Sequence, residues 1–244
     1  MVKRPVHRIK EGEITPEFDE LADEVIVELK SLEQSIVKLL ATPLDLLDLA
    51  YGHIYSESRG SISSATLLGN DVVMEGNFNP RPVEDILTAA CGACSTGELE
   101  APLKTVTQRV SFHGRIFEVM ENMLSMQQIF HETGGVHAAA IVDEKGRVSY
   151  VREDIGRHNA MDKAIGAAIR NGIIPRIVAI SSRIGWELVA KAVRANIPLI
   201  IAAGAVSSAA ESLARSSNIT LIGFASRENP LVIGPTSRIV DKHK

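Results

Sequence analysis

Beyond residue 137 the chain alternates short, continuous apolar runs with stretches of helical period. Residues 138–142 and 148–151 are apolar runs on either side of Glu144-Lys145-Gly146, the pattern of a hairpin. The spacing then predicts a helix over 158–171, a strand over 177–180, a helix over 186–195, a strand over 199–202 and a buried strand over 219–224. Ser208-Ala209-Ala210-Glu211 reads as a capping box opening one more helix before the last strand. Strands alternating with helices imply βαβ units and a three-layer α/β/α domain.

The first half is patterned differently. Residues up to about Glu20 are polar and predict a poorly ordered terminus. Residues 25–29 and 35–40 are β-rich, and Thr42-Pro43 predicts a helix start with Thr as N-cap and Pro at the first helical position. Leu46, Leu47, Leu49 and Ala50 continue that helix as an apolar stripe. Residues 61–78 read as a hairpin turning at Gly69-Asn70-Asp71. A helix is predicted over 116–130, with Phe117, Met120, Leu124 and Ile129 available for one face. The expected organisation is a small α+β domain over 1–108 followed by an α/β domain over 109–244, with no internal repeat and no low-complexity tract.

Composition changes this picture only by exclusion. With 45% hydrophobic and 23% charged residues the chain can bury an ordinary globular core. A net charge of −4 gives no support to sequence-wide nucleic-acid binding. The basic start Met1-Val2-Lys3-Arg4-Pro5 is not followed by the apolar stretch of a signal peptide. No segment approaches the roughly 20 apolar residues that span a bilayer. A cytoplasmic protein is the expectation.

Candidate chemistry sits in three places. The only two cysteines stand together as Cys91-Gly92-Ala93-Cys94, in a Gly/Ser/Thr-rich stretch without helical or strand period. Exposed thiols are a liability, so their pairing suggests use. A sulfur carrier on a mobile loop, half of a metal site completed by His113, His131 or His137, a redox pair and two inert buried thiols all remain open. The second place is Thr133-Gly134-Gly135-Val136-His137-Ala138-Ala139, where two glycines permit close backbone approach to a ligand. A His beside alanines is equally at home in a core. Zinc-dependent deaminases need a Glu two residues after such a His; Ala139 stands there, and the cysteines lie upstream, which argues against that chemistry.

The third place is the run from Arg152 to Lys163, with Arg152, Arg157, His158 and Lys163 against Glu153, Asp154 and Asp162. It falls at a strand-to-helix junction, and α/β sheets bind ligands outside the carboxyl ends of their strands. Arg forks and helix N-terminal N–H groups there suit phosphate, and Asp154 or Asp162 could read the donor edge of a guanine. Ser181-Ser182-Arg183 and Ser207-Ser208 follow the next two strands on the same edge. Taken blandly, the run is a charged strand end and a capped helix. No P-loop or G-x-G-x-x-G fingerprint accompanies it.

Together the Cys91–Cys94 loop, residues 130–139 and residues 152–163 resemble the formate dehydrogenase accessory sulfurtransferase family (FdhD/NarQ). Ser182-Arg183 with Glu187 and Leu221-Ile222-Gly223-Phe224 extend the resemblance, which runs from about Val25 to Arg227. It implies a cytidine-deaminase-like larger domain. It also implies a sulfurtransferase that takes persulfide sulfur from a cysteine desulfurase to the molybdenum (or tungsten) bis-guanine-dinucleotide cofactor of formate dehydrogenase. That cofactor would be bound as substrate by a homodimer, with no permanent cofactor, no metal of the protein's own, and neither nucleic acid nor membrane as partner. By position, Cys91 would carry the persulfide and Cys94 would assist or resolve it. Cofactor contacts would fall on Gly134, Gly135 and His137, on Arg152, Asp154, Arg157, His158, Asn159 and Lys163, and on Ser182 and Arg183. Phe224-Ala225-Ser226-Arg227-Glu228-Asn229 would complete them. The alternative is a cofactor-binding chaperone that transfers no sulfur. This chain departs from the family pattern at Ser95 after the second Cys, at Ser181-Ser182-Arg183, at Gly185-Trp186-Glu187, in the tail after Phe224, and at Gly52-His53-Ile54-Tyr55-Ser56-Glu57.

Overall fold

The computed structural model describes residues 1–79, 86–87, 102 and 104–240, with backbone alone at 86–87. The polar terminus is not loose. Strands β1 (Val2–Lys10) and β2 (Glu13–Leu21) pair antiparallel, with Val2 opposite Leu21 and Lys10 opposite Glu13. Glu11 and Gly12 both adopt positive φ, 52° and 89°, the two-residue turn whose twist matches a hairpin. Dense charge hid the period of two: Arg8 binds Glu17 and Asp19 across the pair. Pro5 and Ile9 alternate with those charges and stand opposite Phe18 and Ile14.

Next come β3 (Val25–Lys30), β4 (Ser35–Ala41), α1 (Leu46–Ser56), β5 (Gly60–Leu68), β6 (Asp71–Phe78) and β7 (Ile86–Leu87). The strands form one sheet in the order β5-β6-β3-β4-β7, and the expected hairpin turns at Gly69-Asn70. Val27, Leu29, Val37, Leu39, Val72 and Met74 pack with Leu46, Leu49, Ala50 and Ile54 of α1 as one core. Helix α1 begins later than Thr42-Pro43 predicts, after Asp45 at φ 54°. Thr42 is taken by a stronger partner. Its N–H donates to Asp154 Oδ2 at 3.0 Å, its hydroxyl accepts from Ile155 N at 3.1 Å, and its carbonyl accepts from Lys163 Nζ at 2.9 Å.

The second unit comprises α2 (Ile116–Ser125), α3 (Gln128–Thr133), β8 (His137–Val142), β9 (Val148–Asp154), α4 (Arg157–Arg170), β10 (Ile177–Ile180), α5 (Trp186–Arg194), β11 (Leu199–Ala202), α6 (Ser208–Ser216), β12 (Thr220–Gly223) and β13 (Leu231–Ile233). Its sheet runs β13-β12-β11-β10-β8-β9. The central strands β10, β11 and β12 are parallel to their neighbours among them, and the flanking pairs are antiparallel. Ala139, Ile141, Val178, Ile180, Ile200 and Leu221 pack with residues of α4, α5 and α6. The alternate positions Ala140, Val142, Ile177, Ala179, Leu199 and Ile201 pack with Val119, Met120 and Met123 of α2 and with Phe112. A sheet covered on both faces explains the continuous apolar runs.

Two local expectations are corrected here. The single helix over 116–130 is broken at Met126-Gln127, because the Glu153 carboxylate accepts the N–H groups of Ile129 (2.9 Å) and Phe130 (2.8 Å) and starts α3 anew. Helix α6 is capped by Ser207, whose hydroxyl accepts from Ala210 N at 3.2 Å, rather than by Ser208. Glu211 is left to pair with Arg215 one turn on.

The two units meet where α1 crosses α4. A Cβ at Gly52 would lie 1.7 Å from the Asp162 carbonyl oxygen, and one at Gly166 1.8 Å from that of Asp48. Only glycine lets the two backbones touch. The segment before residue 109 also leans on the second unit: Val106 packs in its core, and Asn218 donates to the Val106 carbonyl at 2.9 Å. Among the described residues no helix is long and apolar enough to cross a membrane.

Candidate functional site

The carboxyl ends of β10, β11 and β12 and the amino end of the antiparallel β8 lie along one edge of the larger sheet. Backbone hydrogen bonds lace that edge together. Ser181 N donates to Ala138 O (2.9 Å), Gly204 N to Ser182 O (3.1 Å), Phe224 N to Gly204 O (2.9 Å) and Ala225 N to Ala202 O (2.8 Å). Gly204 has no room for a side chain, since a Cβ would sit 2.7 Å from Arg183 N. Phe224 is held at φ 53°, a conformation that costs a non-glycine residue strain.

A cleft of about 470 Å³ opens at this edge, on the side of α2 and α3. Met120, Met123, Val136 and Ala203 give it an apolar lining, and Gln127, His137, Ser181 and Ser226 supply polar groups. Gly134 and Gly135 form one wall: Gly134 caps α3 at φ 63°, and Gly135 N donates to Thr133 Oγ1 at 3.1 Å. The volume is that of ordinary small-molecule sites.

The electrostatics of the edge are one-sided. His137 is held below its ordinary imidazole range, first by burial and then by the cations Arg157 and Arg183. It is therefore neutral at neutral pH. Among the described residues no carboxylate pairs with Arg157, Arg183 or Arg227, and the buried Nε of Arg157 has no partner. Arg183 is exposed after β10, while Ser182 is buried and its hydroxyl donates to the Arg183 carbonyl at 3.0 Å. Arg227 stacks over the Phe224 ring at 4.1 Å. Ala225 is buried in the core, and Glu228 and Asn229 are exposed in the turn before β13. Cations with free donor capacity suit an anion such as phosphate.

No residue of the run from Arg152 to Lys163 lines the cleft itself: Arg157 stands near His137 at its edge, and the others lie elsewhere. Asp154 is fully buried, and its carboxylate accepts from Lys163 Nζ (2.7 Å), Thr42 N (3.0 Å), Gly156 N (2.8 Å) and Asn159 Nδ2 (3.1 Å). Asn159 also donates to Leu40 O at 2.9 Å, so Asp154, Asn159 and Lys163 join β4 to the start of α4. Arg152 donates to Asp48 of α1 at 2.8 Å, away from the cleft. Asp162 is equally committed: it accepts from Lys191 Nζ (2.8 Å), Ser56 Oγ (2.6 Å) and His53 Nδ1 (3.1 Å). Neither Asp154 nor Asp162 is free to read a guanine, because every partner of both is protein and both are dry.

This second cluster was not found from sequence. Lys191 also binds Glu57 at 2.7 Å, and Arg194 binds Glu57 at 3.0 Å. Burial disfavours the charged forms, yet Lys191 holds Asp162 and Glu57 well below the usual carboxylate range. Burial pushes His53 down, and pushes His158 down to about 3 with help from Lys191 and Arg157. His158 is buried, with Nε2 4.0 Å from Glu187 and neither ring nitrogen hydrogen-bonded to protein. The available signal was the polar stripe His53, Ser56 and Glu57 on α1, the segment that departs from the family pattern. Cys91 and Cys94 lie outside the described residues. Among the described residues no three His, Asp or Glu side chains converge as metal ligands.

A family model described as the FdhD/NarQ family matches residues 22–240. The chain belongs to the FdhD/NarQ family. Among FdhD/NarQ relatives, a protein of Sulfurisphaera tokodaii named sulfur carrier protein FdhD is 34% identical over 238 residues, covering 90% of this chain and 93% of that one. A protein of Streptomyces avermitilis with the same name is 33% identical over 254 residues, covering 91% and 89%. The fold is also similar to a crystal structure described as a formate dehydrogenase accessory protein of Desulfotalea psychrophila. That match has TM-score 0.78 and 19% identity, and covers 98% of this chain and 99% of that one.

Proposed function

We propose that this FdhD/NarQ chain is a sulfur carrier serving formate dehydrogenase, and that the cleft receives a phosphorylated guanine arm of the enzyme's molybdenum or tungsten bis-guanine-dinucleotide cofactor. The observation that carries the reading is the set of uncompensated cations, Arg157 and Arg183, around a neutral His137 at the cleft. The names of the relatives support the sulfur chemistry. The layering of helices on both faces of the sheet supports the cytidine-deaminase-like arrangement. Cofactor contacts are then assigned to Gly134, Gly135, His137, Arg157, Ser181, Arg183, Ser226 and Arg227, with Arg152, Asp154, Asn159 and Lys163 building the frame behind them.

In the proposed cycle the Cys91 thiolate attacks the outer sulfur of a cysteine desulfurase persulfide. The donor S–S bond breaks, the donor cysteine leaves as thiolate, and Cys91 holds the sulfur as persulfide. Cys94 then attacks the inner sulfur of that persulfide. The outer sulfur leaves as hydrosulfide for the cofactor's metal, and a cellular dithiol reduces the Cys91–Cys94 disulfide. Intact-protein mass measurement after incubation with an active desulfurase and cysteine tests the first step. A gain of one sulfur atom, reversed by thiol, is expected in Cys94→Ala, which cannot expel it, and is absent in Cys91→Ala. No gain leaves the cofactor-binding chaperone as the better reading.

A further inference from the structure

One polar side chain at the cleft is left over by the fold. Gln127 stands at the break between α2 and α3, as the residue that precedes α3. A residue in that place commonly caps the helix with a short side-chain oxygen. Here the Glu153 carboxylate already takes the N–H groups of Ile129 and Phe130, and the Gln127 side chain caps nothing. Its backbone is bonded: its N–H donates to Leu124 O at 3.1 Å, and its carbonyl accepts from His131 N at 3.2 Å. Its side-chain amide has no hydrogen-bond partner among the described residues, although the residue is only 2% exposed. Such a group is rarely left alone, because burial strips away the hydrogen bonds that water supplied. Gln127 lines the cleft, so a ligand there can answer it.

The surroundings narrow what that ligand group is. Met120, Met123, Leu124 and Phe130 line the same cleft, and polarisable thioethers and an aromatic ring suit the face of a flat ring system. Among the described residues, no carboxylate and no second amide lines it. The Ser181 hydroxyl already accepts from Ala138 N at 2.9 Å. Neutral His137 carries its donor and its acceptor on different sides of the ring. Among the lining side chains, only Gln127 offers a donor and an acceptor side by side on one planar group. Guanine presents the complement along its edge, O6 as acceptor next to N1–H as donor. We infer that Gln127 reads the base, its amide N–H donating to O6 and its amide oxygen accepting from N1–H. The inference rests on the reading of the cleft as the site of a guanine arm, and it divides the work there. Arg157 and Arg183 serve the phosphates, Gln127 serves the base, and Glu153 frees Gln127 by capping α3 in its place.

Calorimetric titration of the full chain with two nucleotides tests it: guanosine diphosphate, and 2-aminopurine riboside diphosphate, which lacks O6 and the N1 proton. The parent should prefer guanosine diphosphate by about 10- to 100-fold, the worth of a bidentate pair. Gln127→Leu should bind both nucleotides alike, at the level at which the parent binds the 2-aminopurine compound. Its urea midpoint should be unchanged or raised, since an unpaired amide has been replaced by an apolar side chain. Arg157→Ala should weaken both nucleotides by the same factor and keep the preference. A preference that survives in Gln127→Leu, or equal binding of the two nucleotides by the parent, would overturn the role of Gln127 and leave the reading of the cleft standing. Equal weakening of both nucleotides in Gln127→Leu would make the residue a structural one and overturn it too. A parent that binds neither nucleotide would overturn the reading of the cleft and this inference with it.

Discussion

The region behind the larger sheet and the region along its edge use the same kind of residue in opposite ways. Behind the sheet, Asp154 with Lys163 and Asp162 with Lys191 are dry, and each charge is answered by another or by backbone. Along the edge, no carboxylate among the described residues pairs with Arg157, Arg183 or Arg227, and His137 is held neutral first by burial and then by Arg157 and Arg183. One run of twelve residues, from Arg152 to Lys163, feeds both. A charge answered inside the fold is architecture, while a charge left unanswered beside a cleft is available to a ligand.

The contrast can be broken most forcefully at Lys191. Lys191→Met leaves Asp162 and Glu57 buried without their cation, which should cost about 3–5 kcal/mol in urea unfolding; a cost under about 1 kcal/mol would mean that the cluster is not closed as described. Acid probes the same region more gently. His53 and His158 are kept neutral in the folded state, while in the unfolded chain they bind protons below about pH 6.5. Glu57 and Asp162 stay ionised when folded and are protonated near pH 4 when unfolded. In each case the unfolded chain binds more protons, so stability should fall steadily from about pH 6.5 towards about pH 3. His158→Leu should make that fall shallower between about pH 6 and 4.5 by roughly 1.4 kcal/mol per pH unit. An unchanged slope in urea midpoints would show that His158 is not held neutral.

Arg152 sharpens the comparison from the other direction. It serves Asp48, which Arg170 also binds, so Arg152→Ala should cost about 1–2 kcal/mol of stability and leave guanine-nucleotide affinity alone. A loss of affinity at unchanged stability would move Arg152 into the site. The smallest effect is expected at the cap of α6: Ser207→Ala should lower stability by about 1 kcal/mol, and Ser208→Ala hardly at all, in parallel thermal melts.

The strands and helices from residue 137 onward were legible because a sheet buried on both faces writes unbroken apolar runs between helical stripes. The proposed ligand edge rests on the same topology. Other features depend on residues far apart in sequence. Glu153 breaks the helix predicted over 116–130 by capping α3 from another strand. Asp154 draws Thr42 out of a helix cap across 112 residues. His53 and Asp162 meet across 109, and no local pattern announces such a pair. The amino-terminal hairpin was missed for a different reason, since its alternation is written mostly in charges.

The most direct test of the division is a calorimetric titration of guanosine diphosphate into the full chain and into Arg157→Ala and Arg183→Ala. Loss of a charge-assisted phosphate contact should weaken binding about 10- to 100-fold in each variant, with unfolding midpoints unchanged. Parental affinity in both variants would contradict the placement of the ligand at this edge.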